Sequence, residues 1–97
     1  MNTYIILRRD AWATTTCLEK AVGVSSRVSL VDLADHVRWI RSYVIREIGG
    51  RFGMICIFQS TDVATLREHA ARAGIPADEI IPVGETIVLR DDPSFAD

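Results

Sequence analysis

The sequence predicts an α+β domain with the element order strand, helix, strand, strand, helix, strand, and three observations carry that prediction. Two long apolar and β-branched runs, 36–47 and 52–59, flank the pair Gly49-Gly50, which is a strong hairpin signal. A helix over 62–74 is marked at both ends, by Ser60-Thr61-Asp62 before it and by Gly74-Ile75-Pro76 after it. The third strand is apolar on both of its faces, so neither face is suited to water over its whole length.

Taken in order, residues 3–8 are mainly β-branched or aromatic and read as a first strand. Thr14, Thr15 and Thr16 are candidate N-caps for a first helix near 14–29, in which Leu18, Ala21, Val22, Ser25 and Val28 fall at helical spacing. Gly23 weakens this helix by about 1 kcal/mol relative to alanine. A connection at 32–35 leads into the second strand, 36–47. Alternation there places Val37, Trp39, Arg41, Tyr43, Ile45 and Glu47 on one face and Arg38, Ile40, Ser42, Val44 and Arg46 on the other. The third strand divides into Phe52, Met54, Cys56, Phe58 and Gly53, Ile55, Ile57, Gln59. In the second helix Val63, Leu66, Ala70 and Ala73 form the core stripe, Asp62 sits favourably at its start, and Gly74 occupies the usual C′ position before Pro76. The last strand is expected over 79–89, with a break near Pro82 or Gly84.

This order is the split βαβ, or ferredoxin-like, arrangement: a four-stranded antiparallel sheet with two helices on one face. The other sheet face then carries apolar residues and needs cover. A second copy under two-fold symmetry supplies it most simply, so the expected state is a homodimer through the open sheet face, a dimeric α+β barrel-like assembly. Residues 1–90 are expected to form the domain and 91–97 a flexible tail.

Composition narrows the function classes. The chain has 97 residues, room for one domain, and 48 % of them are apolar, too many for a disordered chain. Eleven basic and thirteen acidic residues leave a net charge of −2, without the basic footprint of a nucleic-acid binder. No apolar run is long enough to span a membrane, and the N-terminal apolar stretch is too short for a signal peptide. A cytoplasmic location is therefore expected, with Cys17 and Cys56 as free thiols. Compact metal motifs and glycine-rich phosphate loops are absent from the sequence, so any site must be assembled from distant elements.

The stretch Val37-x-Trp39-x-x-Ser42-Tyr43-Val44, then Cys56, then Arg67-Glu68-His69-Ala70-x-x-x-Gly74-x-Pro76-Ala77-Asp78, resembles a bacterial family of small domains of unknown function. That family includes a nickel-binding protein with a dimeric ferredoxin-like fold. The resemblance runs over 4–93, is densest over 36–83, and is weakest in the first helix. It implies a homodimer and names nickel as the metal; it carries over no ligand set residue by residue.

Among the residues themselves, His69 is the most suggestive, placed at the margin of the core stripe. It reads as a metal ligand or an acid/base between helix and sheet, or else as a boundary histidine bonded to a backbone carbonyl. Cys56 reads as a ligand or as a small buried hydrophobe. Thiolate, imidazole and carboxylate together suit nickel, copper or zinc. The metal candidates are thus His69, Cys56, Glu68 and Tyr43, although Glu68 points about 100° away from His69 around the helix. The leading reading is a small metal- or ligand-binding homodimer, with nickel first and a small-molecule ligand also open. The alternative is a cofactor-free enzyme, oxygenase- or isomerase-like, with a pocket between sheet and helices, His69 as acid/base and Tyr43 or Trp39 lining the pocket.

Overall fold

The expected order of elements is present as β1 (Asn2–Trp12), α1 (Thr15–Arg27), β2 (Val37–Arg46), β3 (Phe52–Ser60), α2 (Val63–Ala73) and β4 (Glu79–Pro82). The computed structural model describes residues 1–91, Asp32 by its backbone alone. All but the first residue of the expected 91–97 tail therefore lies outside the described residues. The strands form one antiparallel sheet in the order β2-β3-β1-β4, an α+β architecture consistent with the ferredoxin-like arrangement.

Both helices begin where a short polar side chain can satisfy an orphaned backbone N–H. The Thr14 hydroxyl accepts from Cys17 N–H at 3.2 Å, and the Asp62 carboxylate accepts from Thr65 N–H at 2.7 Å. α2 ends at Gly74, whose φ of 67° permits the left-handed cap. Ile75 N–H then donates back to the Ala70 carbonyl at 3.1 Å. α1 does not stop at a cap of this kind; it widens into a π-helical turn, Val28–Asp32.

Burial divides the sheet into two faces. Tyr4, Ile6 and Arg8 of β1 and Met54, Cys56, Phe58 and Ser60 of β3 are buried beneath the helices, where Leu18 and Val28 from the first helical segment and Leu66 from α2 complete the core. Ile5, Leu7, Ile55 and Ile57 point the other way and are only half-buried, and Tyr43 beside them is 54 % exposed. The apolar second face expected from β3 is therefore present.

Three expectations about the strands are corrected. Strict alternation in β2 fails because the ladder shifts between Trp39, which faces Phe58, and Arg41, which faces Ile57. The bulge inserts one residue, Ile40, and inverts the phase after it. Ser42, Val44 and Arg46 thus join Val37 and Trp39 on the helix side, while Arg41, Tyr43 and Ile45 turn to the open side. The last strand ends at Pro82 and does not reach 89. Proline removes a ladder donor there, and after the Val83 N–H bond to the Thr3 carbonyl the chain leaves the sheet. Ile87, Val88 and Leu89 consequently stand exposed. β1, by contrast, runs past the expected residue 8 to Trp12, through a bulge in which Asp10 takes a φ of 49°.

Candidate functional site

A polar centre lies where the two helices meet the sheet. Arg8 leaves β1 on the helix side and is wholly buried, as are Phe58 and Cys56 of β3 and His69 of α2. The Arg8 guanidinium lies over the Phe58 ring, with Cζ 5.7 Å from its centroid. The His69 ring meets the same phenyl edge-on at 5.2 Å, and the Trp39 ring stacks on it at 5.5 Å. None of the three guanidinium nitrogens has a hydrogen-bond partner among the described residues. The Cys56 thiol lies against the guanidinium, where its sulfur is at most a weak acceptor. Burial pushes that thiol's pKa up, and the neighbouring Arg8 charge and Ser42 hydroxyl oppose the rise without cancelling it.

His69 is bound at one nitrogen and bare at the other. Its Nε2 lies 3.1 Å from the Ser25 carbonyl oxygen of α1 and 3.3 Å from the Ser25 hydroxyl. A carbonyl only accepts, so Nε2 carries the proton, and the lone pair of Nδ1 is left buried and unpartnered. The ring was expected at the margin of the core stripe; it is instead fully enclosed, because α1 closes over it with the small Ser25 at the contact. Burial lowers the His69 pKa, the Arg8 charge lowers it further, and the Ser25 carbonyl acts the other way. The unfolded chain then binds a proton more readily than the folded one. Stability is therefore complete above the unfolded histidine pKa of about 6.5 and falls as pH drops below it. The urea midpoint should decrease between about pH 7.5 and about pH 5, and the decrease should be smaller in His69→Gln.

The candidates Glu68 and Tyr43 lie elsewhere, as do the other histidine and the other cysteine. Glu68 is on the exposed side of α2, where its carboxylate accepts from Arg72 at 2.7 Å. Tyr43 is on the open face of the sheet, opposite in sense to Cys56. Cys17 is exposed on α1 and Cys56 is a free buried thiol. His36, at the mouth of β2, is exposed and lies near Asp62, because its carbonyl accepts Thr61 N–H at 3.1 Å. Sequence reading missed Arg8 entirely. Its signal was available, since period-two alternation puts Arg8 on the same face as Tyr4 and Ile6.

Among the described residues, two solvent-open grooves bear on these candidates. One, of about 310 Å³, lies between the first helical segment and β2 and is lined by Val22, Ser26, Ser29, Leu30, Trp39 and Ser42 among others. The larger, of about 640 Å³, lies on the open sheet face between Ile5, Ile57 and Tyr43 and the segment 83–91. Neither is lined by His69, so neither gives the enzymatic alternative a pocket at its acid/base.

A family model described as nickel responsive protein SCO4226-like matches residues 4–83. The chain belongs to the SCO4226-like family. The match begins where the resemblance was expected to begin and stops at 83, short of the expected 93 and before the exposed segment that follows β4. No curated protein and no solved structure matches the chain.

The family name raises the question of whether the buried centre suits a nickel ion. His69 Nδ1 is a suitable donor atom, and a thiol lies on the same side of the sheet. The charge does not suit: Arg8 is permanently cationic and is buried there without a hydrogen-bond partner, and a dication beside it would be repelled in a medium that screens poorly. Glu68 and Tyr43 cannot offset that charge from where they lie. Among the described residues, no group of three or more His, Cys, Asp or Glu side chains is arranged to hold a metal ion. The buried centre of this chain therefore does not fit nickel.

Proposed function

We propose that this SCO4226-like chain works as a nickel-responsive homodimer, and the observation that carries the reading is the family match over 4–83. Pairing is supported by the half-buried Ile5, Leu7, Ile55 and Ile57 on the open face, where Ile5 and Ile57 share a groove with the exposed Ile87 and Val88 of the segment beyond β4. An apolar surface of this kind is stabilised by a self-complementary partner. With His69 enclosed beside a cation, His36 is the other of the chain's two histidines. It is exposed beside the Asp62 carboxylate, and imidazole with carboxylate is a donor pair that nickel accepts, the remaining ligands coming from solvent or a second copy.

Calorimetric titration of Ni²⁺ into the metal-free protein, with light scattering on the same sample, tests the reading. The expected mass is that of a dimer, with saturable micromolar binding that His36→Ala weakens at least about tenfold and His69→Ala leaves in place. A monomer that gives no heat, or a His36→Ala titration identical to the parent's, removes it.

A further inference from the structure

The nickel reading makes no use of the Arg8–His69 centre, which is unbalanced in charge and in hydrogen bonds. Three guanidinium nitrogens bear donors with nothing to accept them, and one imidazole nitrogen bears a lone pair with nothing to donate to it. All lie around the Phe58 ring. A buried guanidinium cannot relieve the cost by losing its proton, and an uncompensated buried charge is strongly destabilising. The face of Phe58 offers only partial compensation. The acidic groups near it do not neutralise it. Cys56 is held neutral by burial, and the Asp78 carboxylate is exposed and accepts Arg9 N–H at the surface. A bridging water would satisfy the hydrogen bonds and leave the charge.

We infer that the Arg8–His69 centre, closed off from both grooves in this structure, opens to take a small oxyanion that keeps one acidic hydrogen, its anionic oxygens on the Arg8 guanidinium and its O–H donating to His69 Nδ1. Bicarbonate is the simplest member of that class. A planar anion with two oxygens matches the guanidinium fork, and a protonated oxygen is what the bare imidazole nitrogen requires. The 310 Å³ groove supplies an approach from solvent, because Ser42, one of its lining residues, also lies against the Cys56 thiol that abuts Arg8. Trp39, which lines that groove, stacks on Phe58, and its indole Nε1–H donates to the Ser42 hydroxyl at 2.7 Å. Ser29 and Leu30 bring the π-helical turn to the same groove, a conformation frequent at functional sites.

The test is thermal unfolding of chelator-treated protein in sodium bicarbonate, sodium formate and sodium chloride at matched ionic strength. Bicarbonate is expected to raise Tm saturably, by about 4–8 °C at roughly five times its dissociation constant. Formate, which has no O–H to give His69, is expected to raise it less, and chloride least. Arg8→Met should fold without added anion and lose the bicarbonate response. In the parent, the His69 ring resonances should shift with the same bicarbonate dependence, a readout that stands even if Arg8→Met does not fold. Equal Tm rises in bicarbonate and chloride, an Arg8→Met response matching the parent's, or unmoved His69 resonances would each overturn the assignment. Because nickel is absent throughout, failure here leaves the nickel reading untouched, and the reverse.

Discussion

Phe58→Ala is expected to lower folding stability by about 3–5 kcal/mol, the range for removing a fully buried phenyl from a packed core. This ring is the hub of the helix side of the sheet. Trp39 stacks on it at an interplanar angle of 13°, His69 meets its edge, and the Arg8 guanidinium lies over it. Truncation therefore leaves a cavity and also takes from a buried cation the π face it lies over, which pushes the effect towards the top of the range. Small domains have about 5–15 kcal/mol in total, so the variant should unfold at a much lower urea concentration with an unchanged m-value. Phe58→Leu, which refills most of the volume, should lose less than half as much. Equal midpoints for parent and Phe58→Ala would show that the ring is not the hub described.

The second large effect is expected at Gly53, from addition rather than removal. A Cβ placed there would lie 2.5 Å from the Arg8 carbonyl oxygen, 2.8 Å from Glu47 Oε1 and 3.3 Å from Asp10 N. The first and last of these are backbone atoms of the β1 bulge and cannot rotate away. The Glu47 carboxylate is held by a two-point bond from Arg9, at 2.7 and 2.8 Å, so it too is fixed. Gly53→Ala should therefore cost about 3 kcal/mol, the upper end for overpacking. It should also displace the backbone of Arg8, the residue that carries the buried charge. Urea unfolding measures the first effect. Backbone amide shifts confined to 8–10 and 46–53 would report the second. A variant as stable as the parent would mean that the bulge yields more easily than its contacts indicate.

Much of the fold was legible because its signals are local. Thr14, Asp62 and Gly74 act through side chains or φ values within a few residues of their own position, and Gly49 and Gly50 have the positive φ values, 104° and 87°, that a tight connection uses. The β2 bulge was not legible. A single inserted residue leaves no mark in a run where nearly every position is apolar, aromatic or arginine, and the inversion shows only against the partner strand. The end of β4 was half legible: Pro82 announces a break, but whether Ile87, Val88 and Leu89 rejoin the sheet depends on which edge β1 leaves free.

The candidate centre divides in the same way. By itself the sequence determined the order of the elements, both helix starts and the end of α2, the double-sided apolar character of β3 and the residue pattern that places the chain in its family. Only the tertiary structure decided that His69 is enclosed, that Glu68 and Tyr43 stand away from it, and that Arg8 shares its pocket of the core without an acceptor. The reason is physical. Helical and strand periods specify which side of an element a residue occupies, whereas charge balance at a buried point depends on what the other elements bring to it, here Ser25 from α1, Phe58 and Cys56 from β3, and Arg8 from β1.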